Sequence, residues 1–86
     1  MYTLKDAIEA ANLLNITFDK FTPFEFLDGL NIEAEHGTIS PQTNVTNDDL
    51  IMTAKIALAH LNEFSNYYNK EYGLRAFERF LQSKLK

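Results

Sequence analysis

The sequence predicts an all-α protein, a small single-domain bundle of four to five helices spanning residues 1–86. Three observations carry this. Apolar residues recur three and four apart in four separate stretches, the spacing of one helix face. Helix-start signals precede three of those stretches. Apolar and polar residues nowhere alternate singly as in a half-buried strand, and there is no internal repeat or low-complexity tract. At 86 residues the chain has room for one modest core. A hydrophobic content of 45% with 13% aromatics argues against disorder.

Thr3 to Leu14 reads as the first helix, capped by Thr3 with Asp6 three residues on. Leu4, Ala7, Ile8, Ala11 and Leu14 form its apolar stripe. Asn15 ends it, since asparagine tolerates the left-handed conformation. Ile16 to Phe21 is a connector whose Phe18 and Phe21 are expected to plug the core. Thr22-Pro23 marks the second helix, an N-cap followed by proline at the first helical position. There Phe24, Leu27, Leu30 and Ala34 share one side with Phe26 beside them, while Glu25, Gly29, Glu33 and His36 fall along another face. A mid-helix glycine costs about 1 kcal/mol against alanine, so Gly29 is expected to pack closely against a helix or ring. Gly37 is placed as the stop, and Thr38 to Val45 forms a polar loop containing Ser40, Pro41 and Asn44.

The run Ile51 to Tyr68 is the most apolar and organises the rest. Leu50, Ala54, Ala57, Leu61 and Phe64 make a stripe that Ile51 and Leu58 widen, with Ile56 extending the apolar surface, so this helix is expected to be central. Thr46 is its predicted N-cap, with Asp48 and Asp49 favoured by the helix dipole. Ser65 either caps a further helix or marks a bend, and Gly73 either breaks or weakens the last helix; five helices or four depends on these two. Leu74, Phe77, Leu81 and Leu85, with Phe80 adjacent, form a final stripe opposite Arg75, Arg79, Gln82 and Lys86.

Several classes of chemistry find no support. The chain has no cysteine, hence no disulfide, thiolate metal site or thiol nucleophile. Its three glycines are scattered, so no loop cradles phosphate, and no serine sits in a nucleophile elbow. No signal peptide and no stretch of about 18 apolar residues is present, which suits a cytoplasmic protein with no membrane partner. A net charge of −4 argues against nucleic acid, despite the basic stripe of Arg75, Arg79 and Lys86 with Lys70 and Lys84 nearby. Residues 1–50 hold two lysines against nine acids (−7), and residues 51–86 six basic groups against three acids (+3). The two halves are expected to attract each other within the fold; the sharper reading is a bipolar surface that docks partners or self-associates head to tail.

One polar constellation stands out. Glu33, Glu35 and His36 near the end of the second helix could meet His60 and Glu63 on the third. Imidazole and carboxylate from facing helices are the ligands of bundle metal sites. The spacing His60-x-x-Glu63 reverses the Glu-x-x-His of ferritin-like sites and occurs once. The bland reading is a structural network in which histidine, glutamate and a tyrosine hydroxyl satisfy one another. The sharper one is a divalent metal held by Glu35, His36, His60 and Glu63. No catalytic residue and no other cofactor is nominated.

The stretches Glu33-Ala34-Glu35-His36-Gly37, Asn44-Val45-Thr46-Asn47-Asp48-Asp49, Ile56-Ala57-Leu58-Ala59-His60-Leu61-Asn62-Glu63-Phe64 and Tyr67-Tyr68 resemble the signature of an uncharacterised bacterial and bacteriophage family of unknown function. Its members are small free-standing proteins or modules of longer phage-type proteins. The resemblance covers residues 22–68; the helix at 74–86 lies outside it. Ser65-Asn66 departs from the Pro-Asp that the family carries before the tyrosine pair. The resemblance implies no activity, cofactor or partner. It does imply that Glu35, His36, Asn44, Asp49, His60, Glu63, Tyr67 and Tyr68 form a signature polar network, and it points to a phage or mobile-element origin.

The expected function is a small protein-interaction module. Its partner is a protein, and a homodimer through the last helix is one form of this. Such a module needs an exposed apolar patch, expected around Tyr72, Phe77 and Phe80. The alternatives are a metal-binding or hydrolytic protein using the Glu/His cluster, and a phage accessory factor that inhibits a host protein by surface mimicry.

Overall fold

Among the described residues four helices form: α1 (Leu4–Leu14), α2 (Pro23–Thr38), α3 (Leu50–Glu63) and α4 (Leu74–Ser83). The structure, a computed structural model, describes residues 1–38, 41, 42, 44 and 49–85, and no strand occurs among them. The protein is an all-α bundle. Ser40, Val45, Thr46, Asn47, Asp48 and Lys86, which enter the sequence reading, lie outside the described residues.

Helix α1 begins in a capping box: Asp6 N–H donates to the Thr3 hydroxyl at 3.3 Å and Thr3 N–H donates to the Asp6 carboxylate at 2.9 Å. It ends at Asn15 in the left-handed conformation, φ 57°. Its buried face is all alanine (Ala7, Ala10 and Ala11), so its backbone approaches α2 and α3 closely. The Asn31 side chain on α2 holds the segment ahead of α1, accepting from Tyr2 N–H at 2.7 Å and donating to Tyr2 C=O at 3.2 Å.

Helix α2 also opens in a capping box. Glu25 N–H donates to the Thr22 hydroxyl at 3.1 Å, and Thr22 N–H donates to the Glu25 carboxylate at 2.9 Å. Two expectations are corrected here. The helix runs through Gly37 to Thr38, so Gly37 is not the stop. The buried face is also not the Phe24–Leu27–Leu30–Ala34 side. Phe24 is 65% exposed, and Phe26, Gly29, Leu30 and Glu33 point inward. The buried stripe thus follows the i, i+3, i+4, i+7 series from Phe26. Phe26 wins over Phe24 because the connector brings Phe18 and Phe21 to it, with ring centroids 5.9 and 6.1 Å away. Phe18 takes φ 55°, rare for a bulky residue, and its edge-to-face contacts with Phe21 and Phe26 offset that cost.

Helix α3 is capped by Asp49, whose carboxylate accepts from Met52 N–H at 2.8 Å; this replaces the expected Thr46 cap. The helix begins at Leu50, and the cap must immediately precede the first helical residue, where Asp49 stands and Thr46 does not. Thr53, Ala54, Ala57 and Leu61 are buried, whereas Phe64, expected on the same stripe, is 56% exposed. Phe64 adopts extended φ/ψ and carries its side chain off the helix face. Residues 65–68 form a turn, so the helical reading of Ile51 to Tyr68 ends at Glu63 and Ser65 starts no helix. Gly73 then precedes α4 directly, so the described residues hold four helices.

Helices α1, α2 and α3 pack against one another; among the described residues α4 meets this body through Leu74, which packs on the core, and through ion pairs to the end of α2. Its apolar side faces outward, with Phe77 65%, Phe80 57% and Leu81 62% exposed, and Tyr72 ahead of the helix is 57% exposed. Its polar side is turned toward the C-terminal half of α2.

Candidate functional site

The buried face of α2 ends in a carboxylate. Glu33 lies seven residues after Phe26, on the inward stripe, and is only 8% exposed. A buried carboxylate requires donors. Tyr68 supplies the first: its hydroxyl donates to Glu33 Oε2 at 2.6 Å. His60 supplies the second, with Nδ1 3.1 Å from the same oxygen and 3.0 Å from the Tyr68 hydroxyl. Because Tyr68 spends its hydrogen on Glu33, Nδ1 of His60 carries the hydrogen that these two oxygens accept. The imidazole stacks on Tyr67, centroids 4.3 Å apart, and Tyr67 meets Tyr68 edge-on at 4.9 Å.

Gly29 makes room for this arrangement. A Cβ at Gly29 would lie 2.6 Å from Tyr68 Cε2 and 2.9 Å from Cδ2. The ring lies flat against the α2 backbone one turn before Glu33, which aims the hydroxyl at the carboxylate. The expectation of close packing at Gly29 is met, and the neighbour is a ring.

Around the clamp is a half-exposed ionic layer. His36 Nε2 lies 3.4 Å from Glu78 on α4 and its Nδ1 4.0 Å from Glu33. Arg75 of α4 donates to Glu35 at 3.1 Å and to Glu78 at 3.3 Å. Such exposed pairs contribute at most about 1 kcal/mol each; they orient α4 more than they hold it.

The signature residues thus divide. Glu33, His60, Tyr67 and Tyr68 meet in one cluster, which His36 borders. Glu35 is exposed and turned toward Arg75. Glu63 is exposed at the end of α3, Asp49 caps the start of that helix, and Asn44 is exposed in the loop. Glu33, absent from the eight signature positions, is the hub. Its signal in the sequence was its place seven residues after Phe26, on the face that also carries Gly29. Among the described residues no group of three or more His, Cys, Asp or Glu side chains is placed to hold a metal ion. The four residues nominated as ligands do not converge: Glu35 and Glu63 stand outside the cluster that holds His60.

Burial, and secondly the hydrogen bond to Glu33, push the Tyr68 phenol well above its ordinary pKa of 10.0; burial, then the charge of Glu33, also raises Tyr67. The fold therefore favours the neutral phenol. That stabilisation is complete below the unfolded pKa of 10.0 and is lost as pH rises beyond it. In an alkaline titration followed by phenolate absorbance, Tyr68 should ionise only together with unfolding. Tyr68→Phe should remove that late component. Ionisation of Tyr68 with the fold intact would contradict the clamp.

A second feature borders the clamp. A groove of about 970 Å³ runs between α2 and α4, lined by Asp28, Ile32, Glu35, Tyr68, Arg75 and Arg79 among others. His60 does not line it, so its Nε2 does not face into this space.

The geometry defines a small all-α protein in which α2, α3 and the turn before α4 are joined by a buried carboxylate–tyrosine–histidine clamp. The chain belongs to the family described as Protein of unknown function (DUF5661), whose model matches residues 7–78. The match takes in the whole clamp and reaches Glu78 in α4. No curated protein and no solved structure matches the chain.

Proposed function

We propose that the chain is a small helical protein-interaction module that presents α4. One observation carries this reading: a helix with a strongly segregated apolar side touches the body through Leu74 and its ion pairs and shows the rest of that side, Phe77, Phe80 and Leu81, to solvent. The clamp explains how such a face is displayed. It fixes the turn 65–68 from beneath, and the ionic layer turns the polar side of α4 inward. The aromatics of the exposed face, Tyr72, Phe77 and Phe80, are the residue types that anchor interfaces. The sequence resemblance supports a bacterial setting and a phage or mobile-element origin. That no helix among the described residues is long and apolar enough to cross a membrane agrees with a cytoplasmic role.

The test is affinity capture by the tagged chain from bacterial cells that also express it untagged. The wild type should retain a protein at a fixed ratio. A Phe77→Glu/Leu81→Glu variant should lose that protein at least about tenfold, with an unchanged far-ultraviolet circular dichroism spectrum. Equal capture by both forms would reject the reading.

A further inference from the structure

Two apolar stripes of this chain lack a partner, and they lie on opposite sides of its charge imbalance. The first is the face of α4, Phe77, Phe80 and Leu81, continued by Leu85 at 82% exposure. The second is the outer face of α1: Leu4 is 37%, Ile8 40% and Leu13 64% exposed, and with Lys5, Glu9 and Asn12 they line one shallow depression. We propose that the partner of α4 is a second copy of this chain, and that α4 of each copy lies along the outer face of α1 of the other. This rests on the interaction-module reading and names its partner.

Four observations favour this occupant. The lengths match: α4 has 10 residues and α1 has 11, about 15 and 16 Å at 1.5 Å per residue. The charges match as well. Arg75 and Glu78 of α4 are paired toward α2, which leaves Arg79 and the following Lys84 as the charges beside its outer face, in the +3 half. Helix α1 carries Asp6 and Glu9 against Lys5 and lies in the −7 half. Pairing α4 with another α4 would instead set Arg79 and Lys84 against their own copies, a like-charge contact. Third, the molecule is extended, 44 × 30 × 20 Å with a radius of gyration of 13.1 Å, against about 12 Å for a chain this long, a shape that leaves both stripes accessible. Fourth, the area suffices. With whole aromatic side chains at about 150–250 Å², the exposed parts of both stripes come to roughly 1,500 Å² over two reciprocal contacts, within the ~1,200–2,000 Å² of stable interfaces. Two reciprocal contacts also close the assembly, leaving neither stripe open to a third copy.

The experiment is sedimentation equilibrium and native mass spectrometry on the full chain as wild type, Ile8→Glu, Phe77→Glu, and an equimolar mixture of the two variants. Both positions are exposed, and circular dichroism verifies that the variants fold. The wild type should be a dimer. Each variant alone loses both contacts and should be monomeric, its dissociation constant raised at least about tenfold. The mixture keeps one intact contact, α4 of the Ile8→Glu chain on α1 of the Phe77→Glu chain, and should associate more tightly than either variant alone and less tightly than the wild type. The proposal is overturned by an Ile8→Glu chain that stays dimeric, which would show α4 pairing with α4, or by a mixture that associates no more tightly than the two variants do alone. It is overturned equally by a wild type monomeric at every concentration. In that case the interaction-module reading survives if the capture experiment still finds an α4-dependent protein other than this chain.

Discussion

Glu33→Ala is expected to lower the unfolding free energy by about 3 kcal/mol. At about 0.05–0.15 kcal/mol per residue a chain of 86 residues has roughly 4–13 kcal/mol in total, so this is a large share. The reason is the position of the acceptor. Tyr68 is 3% exposed and donates to Glu33 at 2.6 Å, and without the carboxylate its hydroxyl loses its short bond in a place water reaches poorly. His60 can limit the damage by moving its hydrogen to Nε2 and accepting from Tyr68 at Nδ1, 3.0 Å away. Glu33→Gln keeps an acceptor for Tyr68 and should cost about half as much. His60→Ala should cost less than Glu33→Ala, because the imidazole is half-exposed and water can reach the vacated side. Urea unfolding followed by circular dichroism orders the three. A Glu33→Ala loss below about 0.5 kcal/mol, within the range of ordinary surface changes, would mean that the cluster does not hold the fold together.

Local rules made the helices legible from the sequence. Thr3 with Asp6, Thr22 with Pro23, and Asn15 act through atoms within four residues of themselves, and the structure places each where those rules put it. The errors share a different origin. Phe24 and Phe26 are equally apolar, and only the arrival of Phe18 and Phe21 from the connector decides which turns inward. That rotation carries Glu33 inside and leaves Glu35 out, so a tertiary choice among aromatics selected the hub of the clamp. Gly29 could be read as a close-packing site, but the ring that fills it comes from Tyr68, 39 positions later. Phe64 fits the periodicity of α3, yet the chain leaves the helix one residue before it. Phe77 and Phe80 show the converse limit. Their amphipathic spacing predicted a helix face correctly, and periodicity alone cannot say whether the face that it marks is covered by the same chain or another.

Gly73→Ala is expected to cost about 3 kcal/mol as well, by a different route. Gly73 has φ −86°, which other residues can adopt, so the cost is steric rather than conformational. A Cβ there would lie 2.5 Å from Tyr67 O and Asn69 N and 2.6 Å from Asn69 O. These are backbone atoms, and no rotamer change relieves them. They also hold the turn: Gly73 N–H donates to Asn69 O at 2.8 Å and Leu74 N–H donates to Tyr67 O at 2.6 Å. The methyl group therefore pushes apart the segment that joins the Tyr67–Tyr68 pair to α4. Hydrogen exchange at the Leu74 amide should accelerate markedly, while amides in α1, far along the chain, should change only as much as global stability falls. A variant of near wild-type stability with Leu74 still protected would show that this turn does not aim α4. The two ways of disabling α4 should then separate. Phe77→Glu removes the face and leaves the fold stable, whereas Gly73→Ala leaves every apolar side chain of the face present and loses its orientation, so both stability and partner binding should fall together.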